Sequence, residues 1–147
     1  MNDAQALLAD AALTSFRLNG QLLALADELA RPAGLTAAWW QVRGAVLGEP
    51  RSVSEIAREM GLTRQSVQRV ADLVVARGLA AYADNPAHRR AKLVTLTGPG
   101  RDAIARIDPQ HATAAAALVR ELGAARLREV LAGMHDLSVA LDRVGQG

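Results

Sequence analysis

Six polar residues in one short stretch carry side chains that could read a nucleic acid. Arginine can bond guanine N7 and O6 with two donors, and glutamine can bond adenine N6 and N7 in the same way. The Thr and Ser hydroxyls suit phosphate oxygens, as does the start of a helix. These candidate reading residues are Thr63, Arg64, Gln65, Ser66, Gln68 and Arg69. They predict a helix that contacts duplex DNA, and the alternative is a structural helix with a polar outer face.

The residues around this stretch predict a helix-turn-helix that would hold the reading helix outwards. Two short helices that cross over a tight turn need a small residue at the crossing and a residue tolerant of positive φ in the turn. Ala57 and Gly61 have these properties, four positions apart. Apolar residues are expected to fill the angle from both sides, with Val67, Val70 and Leu73 facing inwards. The predicted helix-turn-helix core is Ile56, Ala57, Met60, Gly61, Leu62, Val67 and Val70.

Apolar periodicity and cap residues predict the remaining elements. An amphipathic helix is expected over residues 4–29, and a second helix follows a Thr36 cap. Ser52 and Glu55 have capping-box spacing, and Gly78 is predicted to end the reading helix. Strands are predicted at residues 79–83 and 92–96, around a turn at residues 84–86. A helix capped by Thr97 is expected to kink near Pro109 and to end at Gly123, before a final helix.

Composition predicts the fold class and excludes several kinds of chemistry. Half of the 147 residues are hydrophobic and only 3% are aromatic, so we expect one mainly α-helical domain with a small β-hairpin. There is no cysteine, which removes thiolate metal sites, disulfides and cysteine nucleophiles. No catalytic constellation, cofactor motif or metal-ligand spacing is present, and His111 and His135 are isolated, so we expect neither an enzyme nor a metal. The chain has no secretory signal and no membrane-length apolar run, which predicts a cytoplasmic protein.

The charge distribution also favours a nucleic-acid partner. Between Arg51 and Lys92 there are eight basic residues and four acidic ones, whereas the whole chain has a net charge of +2. The middle of the chain therefore has a positive net charge, and the two ends have a negative net charge when they are summed. This distribution is expected for a nucleic-acid reader. Scattered arginines on a solvated helical face are the alternative.

Two segments resemble the MarR family of winged helix-turn-helix regulators: GLTRQSVQRV at residues 61–70 and NPAHRRAKLVTLT at residues 85–97. The resemblance implies a DNA-binding lobe at residues 36–97 and dimerisation helices at residues 4–30 and 98–144. It further implies a homodimer that binds a pseudopalindromic operator, with the recognition helix in the major groove and the hairpin wing in the minor groove. Many such proteins are repressors released by a small, often aromatic, ligand.

The resemblance assigns DNA contacts in the wing to His88, Arg89, Arg90 and Lys92. The family usually has Asp two positions before the tip Arg, which here is Arg90, and His88 occupies the Asp position. A neutral His88 can accept a hydrogen bond from Arg90, whereas a protonated one repels it, so operator affinity is predicted to vary between about pH 6 and 8. The alternative is an exposed histidine with no role.

The resemblance also places an effector site where the dimerisation helices meet the lobe. Candidate pocket residues are Arg17, Trp39, Arg43 and His111, and the effector would be aromatic or anionic. Trp40 is predicted to be a core residue, whereas Trp39 is expected to point elsewhere. Arg43 occupies a core-like position, where a charge is costly unless it is paired. It therefore reaches solvent, pairs with an acid, or awaits an anionic ligand.

These expectations converge on a sequence-specific regulator of transcription that binds double-stranded DNA. The alternative from another class is a helical scaffold whose helix-turn-helix binds protein instead. Salt separates the two, because a DNA reader loses affinity steeply as salt rises.

Overall fold

The computed structural model describes residues 1–146, apart from the side chains of residues 38, 41 and 45. The elements of this part follow the order α1 (Asp3–Ala30), a 3-10 turn (Arg31–Ala33), α2 (Ala37–Val46), β1 (Arg51–Ser52), α3 (Val53–Met60), α4 (Arg64–Ala76), β2 (Ala80–Ala83), β3 (Leu93–Leu96), α5 (Gly98–Leu122) and α6 (Ala124–Gly145). The fold is mainly helical with a small sheet, which confirms the predicted class. The chain forms two compact units, Met1–Ile107 and Asp108–Gly147.

The sheet of the first unit is antiparallel with strand order β1-β3-β2. Strands β2 and β3 form the predicted hairpin, in a register that pairs Ala80 with Leu96 and Ala83 with Leu93. Strand β1 pairs Arg51 with Val94 and was not predicted. It has only two residues and leads directly into α3, so its sequence shows no period-2 pattern.

Helix α2 lies at the centre of the first unit, against α1, α3, α4 and β3. Trp39, Val42 and Val46 are all buried, at the three- and four-residue steps of one helical face. The prediction that Trp40 is the core tryptophan was therefore wrong. Trp40 is half-buried instead, because it is out of phase with Val42 and Val46 and shares a face with Arg43.

The helix caps agree with the sequence in part. The Ser52 hydroxyl accepts from the Glu55 N–H at 3.2 Å, which is one half of the predicted capping box. Thr36 occupies the N-cap position of α2, but its side chain makes no capping bond there. Asp27 caps α2 from the last part of α1, because its Oδ1 accepts from the Ala37 N–H at 2.5 Å. A cap from ten residues upstream is not visible in local spacing.

Helix α5 begins as predicted and packs closely on Leu79, the residue before β2. The Thr97 hydroxyl accepts from the Gly100 N–H at 3.1 Å and donates to the Gly78 carbonyl at 2.6 Å. A Cβ on Gly100 would lie 1.9 Å from the Leu79 carbonyl oxygen, so only glycine fits this contact. Pro109 lies inside α5, just after the boundary between the two units.

The second unit contains the remainder of α5 and helix α6. Gly123 separates the two helices in a backbone conformation with φ of 88°, as the sequence predicted for a helix break. Helix α6 exposes several large apolar side chains: Leu131, Met134, Leu137, Val139, Leu141 and Val144. Within the described residues, no helix is both long enough and apolar enough to span a membrane.

Candidate nucleic-acid interface

Helices α3 and α4 form the predicted helix-turn-helix. Ile56 and Ala57 on α3 and Val67 on α4 are buried in the angle between the two helices. Gly61 ends α3 with φ of 65°, a left-handed conformation that side chains with a Cβ rarely adopt. The N–H of Leu62 then donates to the Ala57 carbonyl at 2.9 Å, which closes the turn. Glycine at this position therefore lets α4 leave at a new angle.

Two apolar residues do not lie where the sequence predicted. Leu73 is 62% exposed, because the inward face of α4 is formed by Val67, Ala71 and Val74 at steps of four and three. Met60 is also exposed, since it is the last residue of α3 and the chain turns away at Gly61. The remaining two predicted core residues, Leu62 and Val70, are half-buried.

The outer face of α4 presents most of the candidate reading residues. Arg64, Gln65 and Arg69 are exposed, whereas Ser66 and Gln68 are half-buried. Thr63 caps the helix, its hydroxyl accepting from the Ser66 N–H at 3.1 Å. An open groove of about 700 Å³ follows this face, lined by Arg64, Gln65, Gln68, Arg69, Asp72 and Leu73.

The wing is the loop between β2 and β3, and a buried asparagine shapes it. The Asn85 side chain accepts from the Ala87 N–H at 3.0 Å, and the Asn85 carbonyl accepts from the His88 N–H at 3.2 Å. His88, Arg89 and Arg90 are exposed at its tip. Lys92 is exposed too, but it donates to Asp84 at 2.6 Å. This hydrogen bond and the lysine charge lower the pKa of Asp84.

The reading helix and the wing line the same hollow. Its volume is about 160 Å³, and its lining includes Arg64 and Gln68 from α4 together with Arg90 and Lys92 from the wing. Ser52, Val53 and Ser54 at the start of α3 complete one side, with Tyr82 and Ala91. Three cations thus surround a polar cleft in which α3 begins, and this arrangement suits a polyanion.

A cluster of three polar side chains joins α4 to β2, and the sequence analysis missed two of its members. Gln68 Nε2 donates to Asp72 Oδ1 and to the Tyr82 hydroxyl, at 3.0 Å each, and the Tyr82 hydroxyl donates to Asp72 Oδ1. Hydrogen bonds from Tyr82 and Gln68 lower the pKa of Asp72. Burial, the hydrogen bond to Asp72 and its negative charge raise the pKa of Tyr82 to about 12. The i,i+4 spacing of Gln68 and Asp72 could have indicated their contact, whereas the position of Tyr82 depends on strand packing.

The residues predicted for an effector pocket have different environments. Trp39 is 1% exposed and fills the core, contrary to the expectation that it points elsewhere. Arg43 is buried, and its guanidinium lies 4.4 Å from the centre of the Trp40 ring. This cation–π contact offsets the cost of burying the charge. The three alternatives predicted for Arg43 did not include such a contact. Arg17 is exposed on α1, and His111 is exposed on the part of α5 that belongs to the second unit.

The fold and this surface define a winged helix-turn-helix protein. Residues 33–91 match the model of the MarR family. An uncharacterised protein of Mycobacterium tuberculosis is 42% identical over 86 residues, which cover 58% of this chain and 60% of that protein. The match therefore spans less than two thirds of the length of this relative.

Solved structures of transcription regulators resemble this chain over most of its length. A MarR-family transcriptional regulator from Rhodococcus sp. RHA1 is 26% identical with a TM-score of 0.65, covering 93% of this chain and 95% of that one. The repressor CouR bound to a 23-mer DNA duplex is 25% identical with a TM-score of 0.74, covering 92% and 96%. CouR from Rhodococcus jostii RHA1 bound to p-coumaroyl-CoA is 26% identical with a TM-score of 0.68, covering 93% and 94%. The resemblance to the MarR family is thus confirmed, and the chain has the fold of MarR-family transcription regulators.

Proposed function

We propose that this protein is a sequence-specific regulator of transcription that binds duplex DNA as a homodimer. The observation that carries the proposal is the shared hollow, where Arg64 and Gln68 of the recognition helix α4 and Arg90 and Lys92 of the wing line one cleft. Exposed Gln65 and Arg69 extend the surface along α4, and Arg89 extends it along the wing. Duplex DNA offers base edges to such a helix and phosphates to the surrounding cations.

The assignment of individual contacts follows from the two elements. Residues on α4 read base edges in the major groove, where Arg64 and Arg69 favour guanine. His88, Arg89 and Arg90 contact the minor groove and its phosphates. Because Lys92 is already paired with Asp84, it stabilises the wing in addition to any phosphate contact.

The decisive experiment selects binding sites from random duplex DNA and then measures affinity for the selected operator against salt. We expect dissociation constants on the order of 10⁻⁸ to 10⁻¹¹ M. The logarithm of affinity should fall linearly with the logarithm of salt concentration. Arg64→Ala should relax base choice, whereas Arg90→Ala should weaken binding to all sequences more evenly. Absence of sequence-selected binding at physiological salt would contradict the proposal and favour the scaffold.

The proposed homodimer rests on apolar surface of the terminal helices. Helix α1 exposes Leu7, Leu8, Leu13, Phe16 and Leu22, and α6 exposes six further large apolar residues. Apolar surface on this scale marks an interaction site in proteins that remain in solution. A twofold dimer would place two recognition helices about 10 base pairs apart on a pseudopalindromic operator.

We further propose that the protein is a repressor released by a small aromatic or anionic effector. Support comes from CouR, a repressor that has been solved with DNA and, separately, with p-coumaroyl-CoA. Trp39 and Trp40 are the only tryptophans, and both lie on α2, so their fluorescence reports on this region. Titration with aromatic carboxylates and their coenzyme A thioesters should quench this fluorescence and release bound operator. If no compound of these classes does either, the effector proposal fails while the DNA-binding proposal stands.

A further inference from the structure

Gln68 differs from the other polar residues of the recognition helix because its amide is held by the protein itself. Its Nε2 lies 3.0 Å from both Asp72 Oδ1 and the Tyr82 hydroxyl oxygen. Gln68 and Tyr82 are half-buried and also line the hollow between α4 and the wing. The amide is therefore fixed beside the proposed DNA surface before any DNA binds.

The chemistry of the cluster determines which end of the amide faces Asp72. An ionised carboxylate has only acceptors, so it must face the amide NH₂ and not the carbonyl oxygen. The Tyr82 hydroxyl donates its hydrogen to Asp72 and is left as an acceptor toward Gln68. The lowered pKa of Asp72 keeps the carboxylate charged, which maintains this order of donors and acceptors. Both partners thus fix the nitrogen, and the amide cannot rotate by half a turn without placing its oxygen against Asp72.

We propose that Asp72 and Tyr82 are positioning residues that make Gln68 read its base through Oε1, as an acceptor. The proposal rests on the proposed function and specifies the base chemistry that this position recognises. In the major groove, an acceptor selects an exocyclic amino group, which is N6 of adenine or N4 of cytosine. It disfavours guanine O6 and thymine O4, which are acceptors themselves. An unheld glutamine can present either end of its amide and tolerates all four bases better.

The test compares base preferences by site selection and by affinity for single-base operator variants. Gln68→Ala first identifies the operator position that Gln68 reads, because preference is lost there. In the unmodified protein, adenine or cytosine should be favoured at that position about tenfold over guanine and thymine, the size of one good base contact. Because either partner alone can hold the amide nitrogen, Tyr82→Phe should reduce this ratio only in part. The double variant Tyr82→Phe/Asp72→Asn, in which the new side-chain amide can face Gln68 with either end, should reduce the ratio to about two or less while the preferences read by Arg64 and Arg69 remain.

Asp84→Asn is the matched control, since it removes an exposed carboxylate from the wing but leaves the cluster intact. It should leave the preference at the Gln68 position unchanged. Retained preferences at the other positions show, in the same selection, that each variant is folded. A guanine or thymine preference at the Gln68 position, or an adenine or cytosine preference that survives in the double variant, would overturn this inference and leave the proposed function standing. Failure of the unmodified protein to select any sequence would overturn the proposed function and, with it, this inference.

Discussion

At the scale of single residues, the titration of Tyr82 reports on the surface that is proposed to bind DNA. It is the only tyrosine in the chain, so the tyrosinate absorbance of the whole protein reports on this hydroxyl alone. The hydroxyl is half-buried and donates to a charged carboxylate, and both conditions favour the protonated form. Its titration therefore tests the existence of the Gln68–Asp72–Tyr82 cluster without any DNA.

We expect the absorbance of the folded protein near 295 nm to titrate with a midpoint near 12, above the ordinary value of 10.0. Because the folded-state pKa is raised, the stability contributed by Tyr82 is fully present below pH 10 and is lost as pH rises from 10 to 12. Asp72→Asn should move the midpoint downwards, since it removes the negative charge, but burial should keep it above the value of the denatured chain. A midpoint near 10 in the folded protein would argue against the cluster.

The sequence predicted which residues α4 exposes better than it predicted the contacts that each residue makes. Exposure of Arg64, Gln65 and Arg69 follows from helical spacing opposite Val67, which the sequence contains. Contacts between elements do not follow from spacing. The Gln68 amide donates a hydrogen bond to the hydroxyl of Tyr82, fourteen residues away. The Arg43 guanidinium lies over the ring of Trp40, which the sequence predicts to be a core residue. Both interactions depend on side-chain packing that no local pattern encodes.

At the scale of elements, helix α2 depends on a cap that belongs to another helix. Asp27 on α1 accepts from the Ala37 N–H, while the Thr36 side chain at the N-cap makes no capping bond. We expect Asp27→Ala to lower the free energy of unfolding by about 1 kcal/mol, the usual value of an N-cap. Asp27→Asn retains an oxygen acceptor and should lose less.

Thr36→Ala is the control for this cap, and urea unfolding monitored by circular dichroism is the measurement. Thr36→Ala should lower the free energy of unfolding clearly less than Asp27→Ala does. Equal losses, or a larger loss for Thr36→Ala, would mean that the local residue caps α2 after all.

The boundaries of most other elements were predictable within a few residues, because Gly61, Gly78 and Gly123 all have positive φ where the sequence placed breaks.

The start of α5 provides a second test at this scale, with a control two residues away. A Cβ on Gly100 would meet the Leu79 carbonyl oxygen at 1.9 Å, and backbone cannot move aside as a side chain can. Gly100→Ala should therefore cost about 1–3 kcal/mol of unfolding free energy, as overpacking does. For Gly98, nothing in the described part of the chain lies within 4 Å of the added Cβ, so Gly98→Ala should change stability by less than about 0.5 kcal/mol. Similar values for the two variants in urea unfolding would contradict the close approach of α5 to Leu79.

At the scale of the whole molecule, charge and apolar surface divide between different parts of the chain. The excess of basic residues lies in the segment from Arg51 to Lys92, which contains the recognition helix and the wing. The exposed apolar side chains are concentrated in the terminal helices α1 and α6. A regulator that binds DNA with its middle and a second copy with its ends would distribute its surface in this way. The charges of the sequence predicted the basic middle, and the resemblance to the MarR family implied the dimerisation helices, but neither could show which apolar residues of α1 lie outside the core.

Phe16 tests the dimer most directly, because it is 73% exposed on α1 and its replacement leaves the core of the first unit intact. If α1 packs against a second copy, Phe16→Glu buries a charge in that interface, and the dimer should dissociate at least tenfold more readily in sedimentation experiments. Asn19→Glu adds the same charge at an exposed polar position of α1 and should have a smaller effect. A monomer keeps one recognition helix, so Phe16→Glu should also lose affinity for a two-half-site operator while binding single half-sites as before. Sedimentation of the unmodified protein as a monomer, or an unchanged dimer in Phe16→Glu, would remove this face of α1 from the interface.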